Sequence, residues 1–496
     1  MKKFLALLLA SIMMMSTAAC GSSSGNETAT AEKTESTESS EEGTESTEEY
    51  TGPTGEITFC TWGSASEIDC DQKACDAFMA SHPGTTVNLE VFNEDYATTV
   101  ETRFLGGQAP DVIYGHPSTL LKWMKEGMLQ PITDVYEKHE ELWDEEIYQT
   151  NLYDAYKMDG EYYATPVGAD TFVLFYNKTK LDEAGMEYPD ADTTWEELAE
   201  MAKATSIRDE NGVPQSLGIA SSFYYYHSLP IIYAHGGSML DNMNEPSKVT
   251  FDSPETAEAL TWLQNTANEW GFAPNGEDST YITGGFSDGD YTFYISGVYD
   301  IVYMTGITDF EWDIAPLPQT MKEEGDTAVL YAGYSVSSQS ENPELAKEFA
   351  YFMTTYEGQE IMAETGLITP LRKDVALSDE VINIEGAPEH HSVRVENLPY
   401  GQNLQGQCLS WNEMMDVYSS YMSQLKDMSI TPAECATAIQ TECQKLLDGG
   451  YARPGGCIQG LGGRGNARRK TSRRSEERRV GKECSLPCRS RWSPYH

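Results

Sequence analysis

Ser287 lies in Gly285-Phe286-Ser287-Asp288-Gly289, which fits the G-x-S-x-G pattern of a nucleophile elbow. That chemistry needs a strand, a sharp turn and a helix around the serine. Here the strand-like "YTFYISGVY" (Tyr291 to Tyr299) follows, so a hydrolase serine is rejected. Gly460-Leu461-Gly462-Gly463-Arg464-Gly465 fits the phosphate-cradling G-x-G-x-x-G, but no strand precedes it and no helical pattern follows, so dinucleotide binding fails the same test. Cys484 and Cys488 have near-metal spacing without a second pair of ligands. A carboxylate pair for glycoside hydrolysis can always be imagined among 79 Asp and Glu, so their abundance carries no weight. Cys60, Cys70, Cys75, Cys408, Cys435 and Cys443 contain no C-x-x-C and read as packing residues or optional disulfides, not metal ligands. No catalytic residue, metal site or cofactor is assigned.

Cys20 is the cysteine with a chemistry of its own. Lys2 and Lys3 precede an apolar run from Phe4 to Met15, broken only by Ser11, in the layout of a secretion signal. The run is shorter than the roughly 20 residues that span a bilayer. Thr17-Ala18-Ala19-Cys20 resembles a bacterial lipobox, with Thr17 where an aliphatic residue is usual, so residues 1–20 are expected to be a lipoprotein signal and Cys20 the lipidated N-terminus. Residues 21–55 follow as a Ser/Thr/Glu tether; Gly21 to Gly52 holds nine Glu against Lys33 and too little apolar surface to fold.

The far end differs in kind. Arg453 to His496 carries ten Arg and two Lys against three Glu, a net +9, which leaves −55 on residues 1–452. "RSEERRVGKEC" and "RSRWSPYH" read as an adapter-like translation, and residues 452–496 are set aside as non-native. The acidic body argues against nucleic acid as a partner. Its many aromatic residues suit the flat C–H faces of carbohydrate, although most rings in any body of this size are core.

The elements that would position a site alternate. "EITFCTW" (Glu56 to Trp62), "TTVNLEVF" (Thr85 to Phe92) and "PDVIY" (Pro110 to Tyr114) read as strands, with helical patterns through Cys75, Phe78 and Met79 and through Val100 and Phe104. This is the signature of parallel βαβ units in an α/β fold, whose ligands collect at the carboxyl ends of the strands. "FVLFYN" (Phe172 to Asn177) is a further strand, and Thr194 with Glu197 forms a capping box. Asn342 to Met353 is an amphipathic helix, and the last helices run from Asn412 to Leu447.

Several stretches carry a family resemblance together: "APDVIYGH", "DGEYYATPVGADTFVLFYNKTKLDEAG", "PIIYAHGG", "DIAPLPQ", "GYSVSSQSENPELAKEFAYFM" and "GLITPLRKD". With Phe286, Gly289, Thr292 and Gly297 at the family spacing, the body from Glu56 to Leu447 resembles the family 1 extracellular solute-binding proteins, the sugar-uptake receptors that include maltose-binding protein. The resemblance implies a two-lobed, periplasmic-binding-protein-like α/β fold with an interlobe cleft: residues 56–165 and 317–362 in one lobe, 166–316 and 363–451 in the other. Crossings are expected near Tyr163 to Gly168, Ile314 to Pro318 and Gln359 to Ile368.

It also implies the site. Trp62, Tyr226 and Tyr299 are placed to stack on a sugar, the last where relatives carry Trp; Asp170 would accept sugar hydroxyls. His116 follows the third strand, Gly333 would let backbone approach the ligand, and Trp411 lies near an aromatic position of relatives. The implied function is a lipid-anchored, monomeric, extracytoplasmic receptor that captures a carbohydrate and delivers it to the permease of an ATP-binding-cassette importer. The alternatives are a receptor for another solute, such as a polyamine, peptide or metal chelate, or a surface glycosidase.

Overall fold

The computed structural model describes residues 50–449 apart from 221, 276, 277 and 324. Cys20, the signal and nearly all of the tether, and the basic tail lie outside the described residues. No helix among the described residues is long and apolar enough to cross a membrane.

The chain begins as the alternation predicts. β1 (Gly55–Thr61) pairs in parallel with β2 (Thr85–Val91) and β3 (Val112–Gly115), and helices Ala65–Ser81 and Tyr96–Leu105 make the crossovers. The first helix starts at a capping box, Ser64 with Glu67, and buries Cys70, Ala74, Cys75 and Phe78. Strand limits fall within two residues of those read from sequence.

β4 (Ala164–Asn177) departs from expectation. The sequence suggests a strand only from Phe172; the structure has 14 residues in one strand, every one of them buried. β5 (Pro214–Ala220), β6 (Tyr291–Gly297), β7 (Trp312–Ala315) and β8 (Thr327–Ser337) complete the main strands, in the order β2-β1-β3-β8-β4-β6-β5, with β7 also on β4.

This single sheet serves two cores. Ala164, Val167 and Ala169 pack with Phe59, Phe78, Trp123 and Phe349, whereas Phe172, Leu174 and Tyr176 of the same strand pack with Trp195, Leu260, Phe293 and Tyr418. β8 serves both cores too: Ala328 and Leu330 pack with the second, and Val329, Tyr331 and Ala332 with the first. The terminal helices Trp411–Lys426 and Pro432–Gly449 belong to the second core. Gly168 is required in β4, because a Cβ there would lie 2.1 Å from the Thr369 carbonyl oxygen, where the two-residue strand Thr369–Pro370 pairs with Gly168 and Ala169.

Cys60, Cys70, Cys75, Cys408, Cys435 and Cys443 are all buried free thiols. Burial pushes the Cys60, Cys435 and Cys443 thiols up to about 12, so they are packing groups rather than nucleophiles. Ser287 lies in a turn closed by Gly289 N–H to the Phe286 carbonyl at 2.9 Å, and a strand follows.

Candidate ligand-binding site

Trp62 directly follows β1 and is half-buried. Its ring packs against Tyr96 at 4.4 Å, Tyr114 at 4.6 Å and His116 at 5.5 Å between centroids. Tyr96 is itself fixed by donating its hydroxyl to the Tyr114 carbonyl at 2.7 Å. His116 follows β3 as the N-cap of helix Pro117–Lys125; its Nδ1 lies 2.7 Å from the Tyr331 carbonyl. A carbonyl only accepts, so Nδ1 carries the proton and Nε2 remains an acceptor. Burial lowers the His116 pKa, which keeps the imidazole neutral.

Asp170 stands in β4 at the boundary between the two cores and is 9% exposed. Its Oδ1 accepts from Thr369 N–H at 3.1 Å. Burial pushes its carboxyl up to about 7, against the opposing pull of Arg394. The negative charge of Glu67, from the capping box of the first helix, acts on both Asp170 and His116 and also on Tyr303, whose helix sends Ile301 and Met304 into a smaller cluster with Val173 and Phe175 of β4.

The second side is aromatic. Tyr226 lies in a run of three tyrosines, 5.5 Å from Tyr224 and 4.5 Å from Tyr225. Its hydroxyl accepts from Gln405 Nε2 at 2.9 Å, and Gln405 Oε1 accepts from Ser118 Oγ, which belongs to the first core's helix. Tyr299 follows β6; its ring lies back over Gly297, where a Cβ would come within 2.1 Å of it, and meets Phe172 edge-on at 6.2 Å. Next to it, Asp300 accepts from Tyr294 OH at 2.8 Å and Ser296 Oγ at 2.6 Å. Tyr303 is exposed.

Trp62 thus packs on His116, Tyr299 lies within reach of Tyr226, Gln405 joins Tyr226 to Ser118 of the first core, and the charge of Glu67 acts on both His116 and Asp170. Gly333 pairs with Gly115, beside His116, and Trp411 packs against Gly406, beside Gln405. Gly333 makes a close approach, but inside the first core: a Cβ would lie 2.9 Å from the Thr165 carbonyl and from the Tyr156 ring. Trp411 is 2% exposed, in the second core, with Gly406 against its ring. Sequence reasoning missed Glu67, Asp300, Tyr303, Arg394 and Gln405. Only Glu67 left a local sign, the Ser64-x-x-Glu67 cap.

The arrangement offers ring faces, neutral imidazole and carboxylate acceptors, and no activated nucleophile. The sequence profile of the bacterial extracellular solute-binding proteins matches residues 73–389. The multiple sugar-binding protein of Streptococcus mutans is 22% identical over 313 residues, 60% of this chain and 71% of that one. The galactooligosaccharide-binding protein of Bacillus subtilis is 24% identical over 340 residues, 66% of this chain and 75% of that one. Among solved structures, an ABC substrate-binding protein from Listeria monocytogenes in complex with cycloalternan aligns with a TM-score of 0.68 at 23% identity, covering 80% of this chain and 99% of that one. Two cores strung on shared strands, with polar and aromatic groups meeting at their boundary, are the two-lobed architecture of these receptors, and the chain belongs to the bacterial extracellular solute-binding proteins.

Proposed function

We propose that the protein captures a carbohydrate between its two lobes and delivers it to the permease of an ATP-binding-cassette importer. What supports this reading is the pairing of Trp62 with His116 on the first core, the bridge from Ser118 of that core through Gln405 to Tyr226 of the second, and the place of Asp170 in β4 where the strand passes between them. Rings stack on sugar C–H faces, while a carboxylate and the free Nε2 of His116 accept hydroxyl protons. The sugar-binding names of two relatives support the same ligand class. In this reading the receptor is monomeric, catalyses nothing, and works outside the cytoplasm on a lipid at Cys20.

Thermal unfolding against mono- and oligosaccharides, with polyamines and peptides as controls, tests it. A ligand of the folded state alone adds about 2.7 kcal/mol at a hundredfold excess over its Kd. A saccharide should raise Tm, remain chemically intact, and lose its effect in Trp62→Ala. A shift from a control solute alone removes the carbohydrate but keeps the receptor, and saccharide breakdown points to the glycosidase.

A further inference from the structure

Asp170 and Arg394 are held together by the short strand that covers β4. Thr369 serves both, giving its N–H to Asp170 Oδ1 at 3.1 Å and accepting Arg394 Nε on Oγ1 at 3.0 Å. Arg394 Nη1 donates to His391 Nε2 at 3.1 Å. That bond requires one tautomer, and the structure supplies it: His391 Nδ1 lies 3.0 Å from the Ile382 carbonyl, so Nδ1 holds the proton and Nε2 the lone pair. Burial, and then the neighbouring guanidinium, hold the His391 pKa down at about 4, so the imidazole stays neutral.

Arg394 is 1% exposed, and its Nη2 has no hydrogen-bond partner. The charge that acts on it is that of Asp170. A guanidinium so desolvated is tolerated only where an anion compensates it. On the other side of Asp170, Glu67 repels the same anion. Arg394 is therefore the cation that opposes both burial and Glu67, and Thr369 and His391 clamp it in place.

We propose that Arg394 is the positioning residue for Asp170: it favours the anionic, hydroxyl-accepting form of that carboxyl against its burial and so sets the pH range over which the cleft takes a hydroxylated ligand. What Asp170 then touches rests on the carbohydrate reading; its charge state does not.

Carboxyl carbon-13 NMR titration of the full chain, with Asp170 assigned from Asp170→Asn, is the test. In the native protein Asp170 should titrate near the value of about 7 that its burial gives. Arg394→Met should move that midpoint up by about one unit or more, and Arg394→Lys, which keeps the charge, by less. His391→Leu releases Arg394 Nη1 without touching the Thr369 hydroxyl, which also serves Asp170 directly; it should shift the midpoint in the same direction and decides the matter if Arg394→Met does not fold. Calorimetry with maltotriose and a galactooligosaccharide at pH 6 and pH 8 should show affinity rising with pH, and confined to the higher pH in Arg394→Met. An unchanged Asp170 midpoint in a folded Arg394→Met or His391→Leu protein overturns the proposal. A shifted midpoint with no saccharide bound at either pH supports Arg394's hold on Asp170 and removes the carbohydrate reading instead.

Discussion

Asp71 shows how one buried residue carries a pH dependence of its own. It is 4% exposed on the inner face of helix Ala65–Ser81, and burial pushes its carboxyl from 3.8 up to about 7, while only the Thr61 hydroxyl favours its anion and Glu67 opposes it. A folded-state pKa above the unfolded one means that this group's stability is whole below about pH 4, falls as pH rises towards 7, and stays lost above. Asp71→Asn should therefore match the native protein in urea unfolding at pH 3.5 and exceed it at pH 8, by up to about 4 kcal/mol. Equal stabilities at pH 8 would show that the carboxylate is better solvated than its packing indicates. Residues of this kind, like Arg394 and Gln405, were invisible in the sequence because their meaning lies in partners far along the chain. The place of Trp62 just after β1 was legible because position relative to a strand end is local.

Among the elements, β1 to β3 could be read closely because each is a short apolar run bounded by turn residues and followed by a helical period. β4 could not, since a strand buried on both faces has no alternation to follow and its passage from one core to the other leaves no mark in composition. The one sign inside it is Gly168, where Thr369–Pro370 lies against the strand. Gly168→Ala must push its Cβ into backbone that cannot swing away, 2.1 Å from the Thr369 oxygen. A cost of about 2–4 kcal/mol is expected, with Asp170 displaced and saccharide binding weakened. Gly160 makes the contrast: its φ is +87°, but nothing lies within 4 Å of its Cβ. Gly160→Ala should cost about 1 kcal/mol, for backbone strain alone, and leave binding intact. Chemical unfolding of the two variants side by side checks the order, and the reverse order would mean that the short strand Thr369–Pro370 does not pack on β4 as described.

For the molecule as a whole, ligand capture is a balance between arrangements of two cores that share β4 and β8. Any contact made only when the cores meet weights that balance, with or without ligand. The hydrogen bond from Ser118 to Gln405 is such a contact. Ser118 belongs to the helix that sends Leu120, Leu121, Trp123 and Met124 into the first core, and Gln405 lies between Leu404 and Cys408 of the second. Gln405 passes the contact on to Tyr226, so a ring packed on the second core is oriented by a hydroxyl on the first. A neutral hydrogen bond contributes a net of about 1 kcal/mol, which is about a fivefold change in a two-state ratio. Ser118→Ala should therefore open the ligand-free protein, increasing the radius of gyration in small-angle scattering, and should raise the Kd of any saccharide ligand by a similar factor while leaving Tm nearly unchanged. Mutation of the bond with no change in scattering, but with the same loss of affinity, would place its effect in the orientation of Tyr226 and not in closure. Loss of neither would make it a static strut, as the buried Gln407 to Ala155 bond nearby is expected to be.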